Sequence, residues 1–303
     1  MDDFRLKVFR EAAERLNFTQ AAEALRLTQP AVTLQVKKLE QDLGVRLFDR
    51  SGGRVTLTAA GAALLGYARR IGALYEEARR EMGLLAGERR GTLRIGASTT
   101  ISQYILPRLV GAFAGTHPEV RFSVASGNTE AVIEWLGEGR IELGMIEGPA
   151  HRGDVRTETF MEDDIVPIVP REHEWAGRKA GPVTIAMLAE SPLLIRERGS
   201  GTRQVVEAAL EAAGVDVGKL KIVMELDATE AIKTAVEAGM GVGLVSRWAI
   251  LNSTGLREVE VSGLRITRDM SFVYPQGPEL DGLGGAFIRF VRDFGPELLG
   301  AAL

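Results

Sequence analysis

Two short helical patterns joined by two residues constrain this chain most. Residues 18–25 read Phe-Thr-Gln-Ala-Ala-Glu-Ala-Leu, with Thr19 placed to cap a helix and Ala21, Ala22 and Leu25 small enough to pack it closely. Only Arg26 and Leu27 follow before a second pattern, in which Thr28 stands at the cap position and Pro30 falls in the first turn, where its missing N–H costs nothing. Val32, Val36, Leu39 and Leu43 repeat at helical spacing and Gly44 ends the run. Two short helices with so tight a connection predict a helix-turn-helix. An amphipathic helix from Phe4 to Leu16 precedes them, carrying Val8, Phe9, Ala12 and Ala13 on one side.

The other side of the second helix is a strip of Gln29, Thr33, Leu34 and Lys37, with Gln35 and Lys38 beside it. Gln bonds adenine edges, Thr bonds bases or touches a thymine methyl, and Lys meets phosphate or guanine. A solvated helix face has the same composition, so the strip needs company. Residues 47–58 supply it: Ser51-Gly52-Gly53 forms a turn between two short arms, and Arg50 and Arg54 lie on either side, as in a hairpin wing that reaches phosphate or the minor groove.

These motifs, FTQAAEALRLTQPAVTLQVKKLEQDLGVRLFDR and the closing VTLTAAG, resemble the winged helix-turn-helix of LysR-type transcriptional regulators, and residues 1–90 follow that pattern almost continuously. The resemblance implies a DNA-binding domain over residues 1–58, with Thr28, Gln29, Pro30, Thr33, Leu34, Lys37, Arg50 and Arg54 on the DNA side. One position departs: many members carry Arg where this chain has Leu34, and leucine cannot make a bidentate guanine contact, although it can touch a thymine methyl.

Residues 59–90 read as a linker helix. Gly61, Leu64, Ala68, Ile71, Tyr75, Ala78, Met82 and Leu85 step by three and four, a heptad seam expected to pair two copies; the alternative is a helix buried against its own domain. The run Gly-Glu-Arg-Arg-Gly at 87–91 reads as a hinge. Beyond it, short apolar strands alternate with helices, which predicts a doubly wound α/β domain over residues 91–303. Here the LysR-type resemblance implies an effector domain like periplasmic solute-binding proteins. Its two Rossmann-like subdomains would be residues 91–166 with 268–303 and residues 167–267, crossing near Asp164–Pro170 and Leu264–Ser271. The pieces ASTTISQYILP and RERGSGTR are similar to the branch that regulates carbon-fixation operons and responds to sulfur oxyanions.

Several strands end in hydroxyl or glycine residues that open a helix, where free N–H groups and the helix dipole favour anions. Ser98, Thr99, Thr100, Asn128, Thr129, Gly199, Ser200, Gly201 and Thr202 are the candidates, with Asp227, Thr229 and Ser246 closing the site; singly, each is also an ordinary cap. The expected effector is a small anion, with no Lys or Arg required, though Arg196 and Arg203 lie near in sequence. Gly239-Met240-Gly241-Val242-Gly243 precedes its strand, which is the wrong order for a dinucleotide fingerprint. No metal, cofactor or catalytic constellation is expected.

Composition narrows the class. There is no cysteine, which excludes thiolate metal sites and disulfides. The net charge is −4, yet residues 1–58 hold ten Lys/Arg against eight Asp/Glu, so affinity for nucleic acid would be local. No membrane span of about 18 apolar residues occurs, and the charged start lacks a signal-peptide core, so a cytoplasmic protein is expected. The reading is a regulator, not an enzyme: the linker seam predicts a homodimer, and the LysR-type resemblance implies a homotetramer on a roughly palindromic operator, with RNA polymerase as a further partner. The competing class is a small-molecule-binding or enzymatic α/β protein with an accessory helical domain.

Overall fold

The computed structural model describes residues 4–49, 55–85, 91–150, 153–177, 181–277 and 280–300. The chain divides into two compact units, Met1–Glu88 with Gly137–Arg140, and Arg89–Leu136 with Ile141–Leu303.

In the first unit, α1 (Phe4–Arg15), α2 (Phe18–Leu25) and α3 (Gln29–Leu43) close around one apolar cluster. Val8 and Phe9 of α1, Ala21 of α2 and Val32 and Val36 of α3 are fully buried in it. The cap of α2 is Asn17, not Thr19: the Asn17 carboxamide oxygen accepts from the N–H groups of Thr19 and Gln20 at 2.9 and 3.1 Å. The helix starts two residues earlier than a cap at Thr19 would place it, and Phe18, its first residue, is buried in the core. Thr28 occupies the cap position of α3 with extended backbone, but its hydroxyl makes no capping bond. Gly44 ends α3 at φ 69°, a left-handed conformation that glycine adopts without strain. Strands β1 (Phe48–Asp49) and β2 (Thr56–Leu57) pair antiparallel, and the Glu40 carboxylate fixes this ribbon to α3 by accepting from the N–H of Leu47 at 2.8 Å.

Helix α4 (Ala59–Leu85) divides its apolar residues between two directions. A Cβ on Gly61 would lie 2.0 Å from the Leu47 carbonyl oxygen; Ala68 belongs to the buried cluster and Leu64 packs against it. The first half of the expected seam is therefore used within its own unit. Tyr67, Ile71, Leu74 and Tyr75 stay exposed, Leu74 by 67%. Ala78, Met82 and Leu85 fall outside the described side chains, and most of the 87–91 hinge lies outside the described residues.

The second unit carries β3 (Gly91–Ser98), a π-helical turn (Ile101–Ile105), α5 (Leu106–Thr116), β4 (Val120–Gly127), α6 (Thr129–Gly137), β5 (Leu143–Glu147) and β6 (Val155–Pro170). It continues with β7 (Val183–Thr184), α7 (Ile185–Glu190), β8 (Leu193–Arg196), α8 (Gly201–Ala212), β9 (Ile222–Leu226), α9 (Thr229–Glu237), β10 (Val242–Ser246), β11 (Leu256–Glu258), β12 (Val261–Ser262), β13 (Ile266–Pro275) and α10 (Gly282–Gly300). The π-helical turn has a local cause: Pro107 has no N–H to give to the carbonyl four residues back, so the register widens before it.

One sheet runs through this unit in the order β4-β3-β5-β13-β6-β10-β8-β9. Pairing is parallel within β4-β3-β5 and within β10-β8-β9. The long strands β6 and β13 lie antiparallel between these two lobes and pass from one to the other. Both are longer than their apolar runs suggest, since they continue through charged residues at 162–164 and 268–269. β5 and β10 are buried along their whole length, as sheet covered on both faces requires.

Candidate functional site

Two places in the chain carry concentrated chemistry. The first is the outer side of α3. Thr28, Gln29, Pro30, Leu34 and Lys37 are exposed and Thr33 is half-buried, while Val32, Val36 and Leu39 fill the core. The Gln29 amide nitrogen donates to the Thr33 hydroxyl at 3.1 Å, which orients the amide along the helix. Arg50 and Arg54 lie outside the described residues.

The second is the centre of the α/β unit, where β5, β6 and β13 and the starts of several helices meet. A buried ion network fills it. Arg268 and Asp163 are cross-strand partners of β13 and β6, and the Arg268 Nε donates to Asp163 at 2.8 Å. Arg268 Nη1 donates to Glu147 at 2.5 Å and to the Thr202 hydroxyl at 2.6 Å, and Nη2 reaches the Thr100 hydroxyl at 3.3 Å. Glu147 accepts further from the Ser98 hydroxyl at 2.8 Å and from the N–H groups of Thr100 and Ile101 at 2.8 and 3.2 Å. The Glu147 carboxylate thus sits where an external anion was expected, on the helix start after β3. Burial pushes its pKa up, but Arg268, the Ser98 hydroxyl, Arg196 and the Ile101 N–H together outweigh burial and hold it below its ordinary value. Asp163 goes the other way: burial dominates over Arg268 and raises it.

The hydroxyls expected to stand open do not: a buried guanidinium already lies among them. Ser98, Thr100 and Thr202 are committed to Glu147 and Arg268. Ser246 donates to Asp163 at 2.8 Å. The Asp227 side chain is exposed; only its carbonyl takes part, accepting from Arg196 at 3.1 Å. Thr129 donates to the Glu147 carbonyl at 2.9 Å, and Gly201 approaches that carbonyl so closely that a Cβ would stand 1.8 Å from it.

The remaining candidates gather around Arg196 at the end of β8. Its side chain is 2% exposed; it donates to the Thr99 hydroxyl at 2.7 Å and the Thr229 hydroxyl at 3.4 Å. Glu197, 19% exposed, covers it in a two-pronged contact at 2.8 and 3.1 Å. Asn128 donates to Glu197 at 3.1 Å, and Gly199, at φ 84°, brings its carbonyl to the N–H of Glu130 at 3.3 Å; Ser200 is buried beside it. Arg203 is instead tied to Glu207 and Glu225. A further cavity of about 340 Å³ opens on the α5/α9 flank, lined by Tyr104, Arg108, Lys233 and Trp248 among others. Among the described residues no acidic or histidine cluster could hold a metal ion.

This architecture has known counterparts. Residues 4–62 match the family described as bacterial regulatory helix-turn-helix protein, lysR family, and residues 86–296 match the LysR substrate binding domain. The chain belongs to the LysR family. Over 95% of its length it is 35% identical to the RuBisCO operon transcriptional regulator of Allochromatium vinosum, covering 94% of that protein. Full-length CbnR, solved in complex with its target DNA, superposes with a TM-score of 0.69 at 25% identity over the whole of both chains. The regulatory domain of CcmR from Synechocystis PCC6803, in complex with 2-PG, matches at 26% identity with a TM-score of 0.61, covering 67% of this chain and 97% of that one. The protein is therefore a LysR-family DNA-binding transcriptional regulator with an effector-binding domain. Its relatives are regulators, and among the described residues no helix is long and apolar enough to cross a membrane.

Proposed function

We propose that this regulator senses a small oxyanion or carboxylate by exchange at Arg196. The observation that carries the reading is the contact between Arg196, almost wholly buried, and Glu197, the least buried acid of the centre. Glu147 and Asp163 already occupy Arg268, so an incoming anion needs a cation whose partner can leave. Glu197 can turn to solvent, and an anion replacing it meets the Thr99 and Thr229 hydroxyls, Asn128 and the glycine-rich turn before α8. The relative in complex with 2-PG is consistent with a small ligand in such a domain.

The working unit is a cytoplasmic homodimer or homotetramer, not an enzyme, on a roughly palindromic operator. Residues 1–58 bind DNA through α3 and the wing, residues 59–90 link copies, and effector binding between residues 91–166 with 268–303 and residues 167–267 alters DNA geometry or contact with RNA polymerase. The test is a thermal-shift screen of the full chain with phosphate, sulfate, sulfite and small carboxylates. At a hundredfold excess over Kd the stabilisation is about 2.7 kcal/mol, or about 5–10 °C for a unit of this size. Arg196→Met should abolish the shift and leave operator binding intact. Absence of any shift, or a wild-type response from Arg196→Met, rejects the anion site.

A further inference from the structure

Leu34 is half-exposed, at 51%, in the middle of the DNA-reading helix. At about 100° per residue it stands roughly 160° from Val32 and Val36, so it forms the outward crest of α3. Pro30 and Lys38 continue that crest, and the Gln29-Thr33-Lys37 row runs beside it. Leu34 is absent from the apolar cluster of its own unit. A leucine in this place gains nothing from water and cannot bond phosphate; its gain comes only when a partner covers it. Lys37 and Lys38, both exposed, flank it and match the charge of a phosphate backbone. The partner presented to the crest of such a helix is the floor of the major groove, whose one apolar group is the thymine C5 methyl.

We propose that Leu34 reads a thymine methyl in each half-site and so sets base preference at that step. This rests on the DNA-binding reading of α3. It deepens that reading by separating two modes on one helix: polar readout from Gln29 and Thr33, and methyl readout from Leu34.

The experiment selects sites for the full chain from a random duplex pool, then replaces each thymine of the selected site by uracil, which removes the methyl and keeps the pairing. Wild-type binding should weaken about fourfold for the one thymine that Leu34 covers, and about 15-fold when both half-sites are altered, the size of one buried methyl each. Leu34→Ala should bind the thymine and uracil sites equally, while Leu34→Met, which keeps apolar reach, should retain most of the difference. A selected site that tolerates uracil at every position, or a Leu34→Ala variant as sensitive as wild type, overturns the methyl contact alone. A pool from which no sequence is enriched overturns the DNA-reading face itself.

Discussion

Replacing Arg268 by methionine keeps the length of the side chain and removes its charge. In the structure Arg268 is fully buried, and the carboxylates of Glu147 and Asp163 that it joins are 2% and 1% exposed. It also satisfies the Thr100 and Thr202 hydroxyls. The substitution leaves two buried acids without the cation that joins them, and breaking a buried pair from one side costs about 3–5 kcal/mol. For a unit of about 200 residues that is a fall of roughly 6–20 °C in Tm. All three tryptophans, Trp135, Trp175 and Trp248, lie in the α/β unit, so fluorescence melts of the full chain report on this transition and not on the DNA-binding unit. The double variant Glu147→Gln with Arg268→Met removes one of the stranded charges and should recover about 1–3 kcal/mol relative to additivity. A cost below about 1 kcal/mol for Arg268→Met, or additivity in the cycle, would refute the view that Arg268 and Glu147 act as one buried ion network.

Four further outcomes are expected. Gln29→Ala should cost about 1–3 kcal/mol on the operator and little on random DNA, whereas Lys37→Ala should weaken both and reduce the salt slope by about one; titrations at several salt concentrations separate them. Ile71→Asp should reduce oligomer size in light scattering if the exposed side of α4 pairs copies; an unchanged mass places the contact elsewhere. Asp163 is raised, so its contribution to stability is full at low pH and lost as pH rises through its folded pKa; Asp163→Asn should flatten that loss in melts at stepped pH. Glu147 is lowered, so it acts oppositely, supporting the fold at neutral pH and failing only in the acid limb, which Glu147→Gln should flatten.

The DNA-reading half was legible because its information is local. Helical spacing, a capping residue and a tight turn all lie within about 30 residues, and Val32, Val36 and Leu39 face the core as their period demands, whereas Leu43, expected with them, is 47% exposed at the last turn of the helix. Even there the cap of α2 moved from Thr19 to Asn17, since which polar residue caps depends on where Phe18 must point. In the α/β unit the helix-opening hydroxyls were visible, and folding does draw Ser98, Thr100 and Thr202 together. What they meet was not visible. Glu147, Asp163 and Arg268 come from three strands, and register alone sets Asp163 opposite Arg268 across more than a hundred residues. A local trace did exist: Glu147 ends the run Leu-Gly-Met-Ile-Glu, and a charge completing an otherwise apolar strand signals a buried partner.

The unbroken sheet determines how the two lobes can move. Because β5, β13, β6 and β10 are laced edge to edge, any movement of one lobe against the other passes through the β6–β13 ribbon. The join is a two-stranded ribbon, and the right-handed twist between neighbouring strands is larger in such ribbons than in wider sheets. Its pairing already slips by one residue at Met270 and Ser271, leaving Phe160 as the extra residue of a bulge that increases local twist. Arg268 and Asp163 lie a few rungs away on the same ribbon. A ligand that rotated one lobe against the other would act through this twisted ribbon, which carries its own charged coupling.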